Sequence, residues 1–511
     1  MASRRDELNA YTFAKRRTLA SYLRPSPSGS EEGAPKPLSA VWPGLVVGVV
    51  VLAVFGGIGV FKPKAPPKWD TPGEHVIVAS DSTTRYVVLK TGKQKQLHPV
   101  LNMASAKLLL DPDKSSVITV DEKVLDSGKP PHGATIGIPY APDRLPAPDV
   151  AEKAKRWAVC ERPGEGGRAI QKAAFVFAEK EFGRTDGKNK LTGGELMYVV
   201  GPDEKTQYVV DARGTAYEIR DTTDTELLRS LDTQGRKPQR VSQEWLDTLH
   251  KGDPLSMPTV EGTPGARANA GLPEQFDKVG EVVKSPDGSR MQYYVVQQGG
   301  VAEISEFVAT LLLNSADLVA VGQAGEAQQV APAAVAQSTP FKTERNTWPL
   351  LKPKTVNDGS SATSGRNTVC NVLLTVGTSG NAKGRTTLST WVGTDFPATL
   401  PTGSSSGYVT AGSGQLYRQF QGTEITAGGV FLVTDTGLRY ALQSNSDSAT
   451  DDKGIGTSAK QKEQELQEAK IAQTRLGYEK VSPTPVPVEW STFLPTGPRL
   501  SESAARQPQG S

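Results

Sequence analysis

Cys160 and Cys370 are the only cysteines in a chain of 511 residues. Two thiols are too few for a Cys-rich zinc or iron–sulfur site. The chemistry left to them is a disulfide in an oxidising compartment, or two buried free thiols. The four histidines (His75, His98, His132 and His250) stand far apart, and neither H-E-x-x-H nor H-x-x-E-H occurs. His98 and His250 read most simply as loop or helix-end residues. A phosphate-binding loop needs G-x-x-x-x-G-K-[ST], so that backbone N–H groups cradle the phosphate while a lysine reaches it. The nearest stretch, Gly183-Arg-Thr-Asp-Gly187-Lys188-Asn189, has the wrong spacing and no hydroxyl after the lysine. Gly403 to Gly407 matches G-x-S-x-G with Ser405 at its centre. A nucleophile elbow, however, needs a strand before it and a helix after it, and this stretch lies in a Ser/Gly/Thr-rich loop. No catalytic residue, metal site or cofactor is expected.

The cysteines must therefore be placed by the elements around them, and the chain divides at Ala40–Phe61 (AVWPGLVVGVVVLAVFGGIGVF). This run carries no charge and, as a helix rising 1.5 Å per residue, matches the roughly 30 Å hydrocarbon core of a bilayer. It is too long and too far from the start of the chain for a cleaved signal peptide. We read it as a single transmembrane helix. Pro43 falls near its first turn, Trp42 suits the interface, and Leu45, Val49, Phe55 and Phe61 belong to its apolar length. The segment before it holds Arg4, Arg5, Lys15, Arg16, Arg17, Arg24 and Lys36 against four acids. That imbalance keeps the N-terminus in the cytoplasm and sends the long C-terminal region out, where a lone cysteine pair persists as a disulfide.

Residues 3–23 read as a basic amphipathic helix, with Leu8, Tyr11, Leu19 and Tyr22 near one face and Arg5, Lys15, Arg16 and Arg17 opposite. Arg5, Tyr11, Lys15, Arg16 and Arg17 are its candidate partner-docking residues; the competing reading rests the helix on anionic lipid headgroups. A net charge of +3 with scattered basic residues gives no nucleic-acid footprint.

Beyond the apolar run, 51 Gly and 37 Pro in the whole chain announce many turns. One pattern returns four times: an apolar strand, a glycine turn and a further strand, beginning near Tyr86, Tyr208, Tyr294 and Phe431 with turns at Gly92, Gly214, Gly299-Gly300 and Gly437. The unequal spacing excludes a stacked solenoid. Two interruptions, each holding one cysteine in strand-like sequence, read as the halves of one core domain bolted by Cys160–Cys370. The expected organisation is a cytoplasmic helix and linker (1–39), the transmembrane helix (40–61) and a Pro-rich stalk (62–73). Then come module 1 (74–144), the first half of the core (145–200), module 2 (201–262), module 3 (263–344) and the second half of the core (345–425). Module 4 with an inserted charged helix (426–500) and a disordered tail (501–511) complete it. The fold class is α+β.

Several stretches together resemble EccB, the single-pass membrane component of the type VII (ESX) secretion system of actinobacteria. They are RRDELNAYTFAKRR before the apolar run, HPVLNMASAKLLL in the first module, TIGIPYAPDRLP, WAVC with its partner at Cys370, and VEWSTFLPTGPRLS near the end. The resemblance implies a cytoplasmic N-terminus and an elongated exported region of a core plus four repeat modules. It also implies assembly with EccC (an FtsK/SpoIIIE-like ATPase), EccD, EccE and the mycosin protease, in a homo-oligomer within membrane lipid. The function expected is a structural core subunit scaffolding the translocation channel. The alternative is an ATP-hydrolysing or cell-wall-glycan-binding subunit of the same machinery.

Overall fold

A computed structural model describes residues 4–23, 41–61, 65–112, 114–164, 169–323, 325–343, 345, 347–359, 365–401, 406–442 and 459–509. It divides into two compact units, one of residues 1–69, 78–83 and 118–130, the other of residues 70–77, 84–117 and 131–511.

The smaller unit contains two long helices, Arg4–Leu23 and Val41–Phe61. No residue of the first is buried. At about 100° per residue, Lys15 falls within the arc occupied by Leu8, Tyr11, Leu19 and Tyr22. Basic and apolar residues are therefore not segregated, which corrects the expected amphipathic pattern: only Arg17 lies across from Leu8. The second helix has 21 residues and no charged one. Its side chains are described through Ala53, and among the described residues no helix is long and apolar enough to cross a membrane.

The larger unit is built on a repeated circuit. In module 2 the antiparallel strands Glu195–Val200, Gln207–Asp211 and Thr215–Glu218 lead into the helix Thr225–Ser230. The chain returns as Gln239–Arg240, parallel to the first strand, makes the helical turn Gln243–Leu246, and ends as His250–Lys251, parallel to the third. Module 3 repeats this with Val282–Asp287, Arg290–Gln297, Gly300–Ile304, the helix Glu306–Leu313, Gln328–Gln329, the turn Pro332–Val335 and Thr339–Pro340. Module 4 does so with Gly414–Phe420, Val430–Thr434, Arg439–Ala441, the helix Ala459–Arg475, Thr484–Pro487 and the turn Val488–Ser491, closing with a parallel bridge from Thr496 to Arg439. Module 1 has the same element order, with its hairpin at Arg85–Thr91 and Gln94–Val100 and its helix at Met103–Leu109.

Local chemistry accounts for the recurrence. The hairpin between the second and third strands turns on a glycine with positive φ in every module: Gly92, Gly214, Gly299 and Gly437. A β-carbon is penalised in that conformation. Asn102, Asp224 and Ser305 each accept a backbone N–H at the start of the helix that follows, satisfying donors that the first turn leaves free.

Three expected boundaries move. Strands 195–200 and 414–420, assigned from sequence to the core, are the first strands of modules 2 and 4. Both are mostly buried; Leu196–Val200 reads as the continuous apolar strand of a core, whereas Gly414–Phe420 carries Gln415, Arg418 and Gln419 and gives no such signal. Lys354–Thr355 likewise joins the module 2 sheet. The tail is ordered through Gln509: Ser501 caps the short helix Glu502–Ala505, and Leu500, Ala504 and Ala505 are buried against module 1 and the 459–475 helix. The inserted helix also buries Ala469 and Ala472, although Leu466 stays 48% exposed. Its preceding segment, 443–458, lies outside the described residues.

Candidate functional site

The core is a five-stranded sheet in the order 386–393, 368–376, 156–162, 171–177, 407–409. Its two central strands come from chain segments about two hundred residues apart, and Cys160 pairs directly with Cys370 in the antiparallel register. Their Cα atoms stand 4.1 Å apart and the two sulfurs are bonded. That separation matches the close, non-hydrogen-bonded pairs of an antiparallel ladder, about 4.5 Å. Both residues are fully buried. They lie on one face of the sheet with Ala158, Phe175, Phe177, Val372 and Trp391.

The opposite face carries the joints to modules 2 and 4. Because side chains alternate along a strand, the residues next to the cysteines, Glu161 and Asn371, point away from the disulfide. The Glu161 carboxylate accepts the backbone N–H of Ser242 at 2.8 Å and also the Ser242 hydroxyl. Ser242 Oγ in turn accepts the Trp245 N–H at 3.3 Å, capping the helical turn of module 2. Asn371 Nδ2 donates to the Trp245 carbonyl oxygen at 3.2 Å and to Thr248 Oγ1 at 2.6 Å. Burial pushes the Glu161 carboxyl up, against the two hydrogen bonds from Ser242 and the nearby Lys172. Lys172 bonds Glu244 at 2.9 Å and holds that carboxyl down at about 2.

Module 4 meets the same face through Trp157. Its Nε1 donates to Gln415 Oε1 at 2.9 Å, and its ring meets Tyr417 edge-on at 5.2 Å between centroids. The Tyr417 hydroxyl and Ser491 Oγ lie 2.8 Å apart, and buried Arg439 donates to Ser491 Oγ and to the Leu494 carbonyl oxygen. Burial pushes Tyr417 up to about 12. Trp245 and Trp490 occupy equivalent helical turns of modules 2 and 4, and both join the apolar cluster beneath this face.

The other candidate residues are not gathered here. Tyr11 is 68% exposed on the first helix, where Arg5, Lys15, Arg16 and Arg17 are exposed as well. Trp42, Leu45 and Val49 are exposed along the second helix, which also holds Pro43; the side chains of Phe55 and Phe61 lie outside the described residues. The histidines are dispersed, and His98 and His250, expected in a loop or at a helix end, lie instead in the strands Gln94–Val100 and His250–Lys251. His75 Nδ1 lies 2.7 Å from Ser116 Oγ, His98 Nδ1 2.9 Å from the Ala134 carbonyl oxygen, and His250 Nε2 2.8 Å from Thr386 Oγ1. His132 meets the edge of Tyr86. Among the described residues no group of three or more His, Cys, Asp or Glu side chains could hold a metal ion. Residues 402–405, which include the central serine of the elbow-like sequence, lie outside the described residues. Glu161, Asn371, Ser242 and Gln415 were not singled out from sequence. The signals available were a single amide in a mostly apolar strand at Asn371 and a helix-capping serine at Ser242; Glu161 and Gln415 share their strands with other polar residues.

A disulfide-joined sheet gripping repeated modules through buried hydrogen bonds is the centre of a multi-module scaffold. The sequence family described as type VII secretion system ESX-1, transport TM domain B, matches residues 1–510, and the chain belongs to this family, EccB. It is 27% identical over 496 residues to a protein of Mycolicibacterium smegmatis named ESX-3 secretion system ATPase EccB3, covering 90% of this chain and 81% of that one. It is 28% identical over 273 residues to one of Mycobacterium tuberculosis named ESX-1 secretion system ATPase EccB1, covering 53% and 52%. Among solved structures, its fold resembles a chain of an intact ESX-5 inner membrane complex (TM-score 0.55, 20% identity, 100% and 96% covered). It also resembles the EccB3 dimer from the ESX-3 core complex (TM-score 0.54, 22% identity, 84% and 99% covered).

Proposed function

We propose that the chain is a single-pass structural subunit of a type VII secretion complex in the cell membrane. Arg4–Leu23 docks to cytoplasmic partners, Val41–Phe61 spans the bilayer, and the larger unit is the exported scaffold around the channel. The observation that carries this reading is the core sheet, closed by Cys160–Cys370 and holding modules 2 and 4 on one face. A buried disulfide suits an oxidising compartment outside the cytoplasm, and an uncharged 21-residue helix lies between that core and the basic N-terminal helix. The partners are the EccC, EccD and EccE subunits and the mycosin protease, and the subunit self-associates, as the solved EccB3 dimer does.

Affinity purification from membranes tests this. The full chain co-purifies with the other membrane subunits, whereas a chain lacking residues 1–39 folds with an intact disulfide but does not assemble. Normal assembly of the truncated chain would reduce the first helix to a bystander.

The relatives' names favour a second reading, ATP hydrolysis. Assay of the purified full chain separates the two: hydrolysis that survives purification and is abolished by a point substitution in this chain establishes an enzyme.

A further inference from the structure

The hairpin tip between the second and third strands has an in-chain neighbour in modules 2, 3 and 4. A β-carbon added at Gly214 would lie 2.8 Å from Leu388 Cβ on the edge strand of the core, and one added at Gly407, on the other edge, 2.3 Å from the Gly437 carbonyl oxygen. In module 3 the Gly299 N–H donates to the Ala268 carbonyl oxygen at 2.8 Å. The module 1 tip differs. Residues Lys90-Thr-Gly-Lys-Gln-Lys95 are all exposed, and at Gly92, as at Gly299, no atom lies within 4 Å of where a side chain would begin. An element held by the rest of the chain in the other modules is here exposed, and it carries three lysines, of which Lys95 is paired with Asp70.

Covalent connection limits where this tip can be. Lys95 Nζ lies 3.2 Å from the Asp70 carboxylate, and Asp70 follows Phe61, the last residue of the apolar helix, by nine residues. Nine residues span at most about 30 Å when fully extended. If the helix crosses the membrane, as proposed above, that reach lets the tip touch the exported surface of the bilayer. Clustered lysines near anionic lipid are drawn to it, with an attraction that fades over a Debye length of about 10 Å at 0.1 M salt.

We propose that the Lys90–Lys95 tip of module 1 contacts anionic phospholipid headgroups on the exported face of the membrane. It sets the height of the exported scaffold above the bilayer, with Asp70–Lys95 joining the tip to the stalk. This proposal rests on the membrane-spanning reading.

The test uses the full chain in lipid nanodiscs of phosphatidylcholine alone or mixed with phosphatidylglycerol. A fluorophore is placed at Gln94→Cys, the native cysteines being bonded to each other, and energy transfer to a headgroup dye is read. Transfer should rise in the anionic discs, and the rise should vanish in a Lys90→Glu/Lys93→Glu/Lys95→Glu variant and in high salt. Equal transfer in both lipids would overturn the proposal, as would a tip that becomes shielded only when other subunits are added, which points to an acidic protein surface instead. A chain that fails to elute with the discs overturns the membrane span, and the tip contact with it. Because Lys95→Glu also breaks the pair with Asp70, a Lys90→Glu/Lys93→Glu variant that keeps the pair should lose the rise as well while melting with the parent.

Discussion

Glu161 and Ser242, 81 residues apart in sequence, are joined twice: the carboxylate accepts both the backbone N–H and the hydroxyl of the serine. One side chain thereby ties the disulfide-bearing strand to the helical turn of module 2. Lys172 and Glu244 are the charged groups facing this joint. Because burial raises the Glu161 carboxyl above its ordinary value, the folded protein holds that proton more tightly than the unfolded chain. The Glu161 contribution to stability is therefore largest below the unfolded pKa and is lost as pH rises through the raised folded value. Glu161→Gln removes this dependence. The melting-temperature difference between parent and variant should shift in the parent's favour as pH falls from neutral towards about 4.5, and a difference independent of pH would contradict the assignment.

The disulfide closes a loop with a sequence separation of 210. In the chain-entropy account such a cross-link stabilises by about 5 kcal/mol. Cys160→Ala, Cys370→Ala and the double variant should destabilise to the same extent, since each removes the one bond. Denaturant unfolding of the three, with and without reductant on the parent, checks this; free thiols that can be alkylated in the folded parent would refute it.

Trp245 and Trp490 fill equivalent places beneath the core sheet. Truncating either to alanine should cost about 3–5 kcal/mol, the range for a large buried aromatic. Trp245→Ala should loosen module 2 and Trp490→Ala module 4. Hydrogen exchange would show the added opening in the matching strands, 195–218 and 414–441.

Removing residues 500–511 should also destabilise, by about 3 kcal/mol from the burial of Leu500 and two alanines. It further removes Glu502, which pairs with Arg475 at 2.9 Å, and Gln509, whose side chain donates to the Gly137 carbonyl oxygen at 2.8 Å. Limited proteolysis should then cut near the helix Met103–Leu109, against which the tail packs. An unchanged melting temperature would return the tail to a passive role.

Legibility in the sequence followed the range of the physics. Apolar alternation and left-handed glycines are local, so the four hairpins with their turns at Gly92, Gly214, Gly299 and Gly437 could be read directly, and two cysteines leave one intramolecular pairing. Module boundaries failed where a strand is mostly buried, as at Glu195–Val200 and Gly414–Phe420: strand-like sequence does not say which sheet will receive the strand. The tail failed for a related reason. Ser501 to Gln509 is polar and short, and only the surface offered by module 1 and the 459–475 helix gives its alanines somewhere to be buried.

What the chain determined by itself is thus the repeated unit, the thiol pair and the uncharged helix that separates a basic segment from a long, turn-rich one. Tertiary structure decided which face of the core carries chemistry. Alternation along the strands turns Cys160 and Cys370 inward to one side, and their neighbours Glu161 and Asn371 outward to the modules. Whether those polar residues would be satisfied depended on Ser242, Trp245 and Thr248, a set that only long-range packing could bring to them.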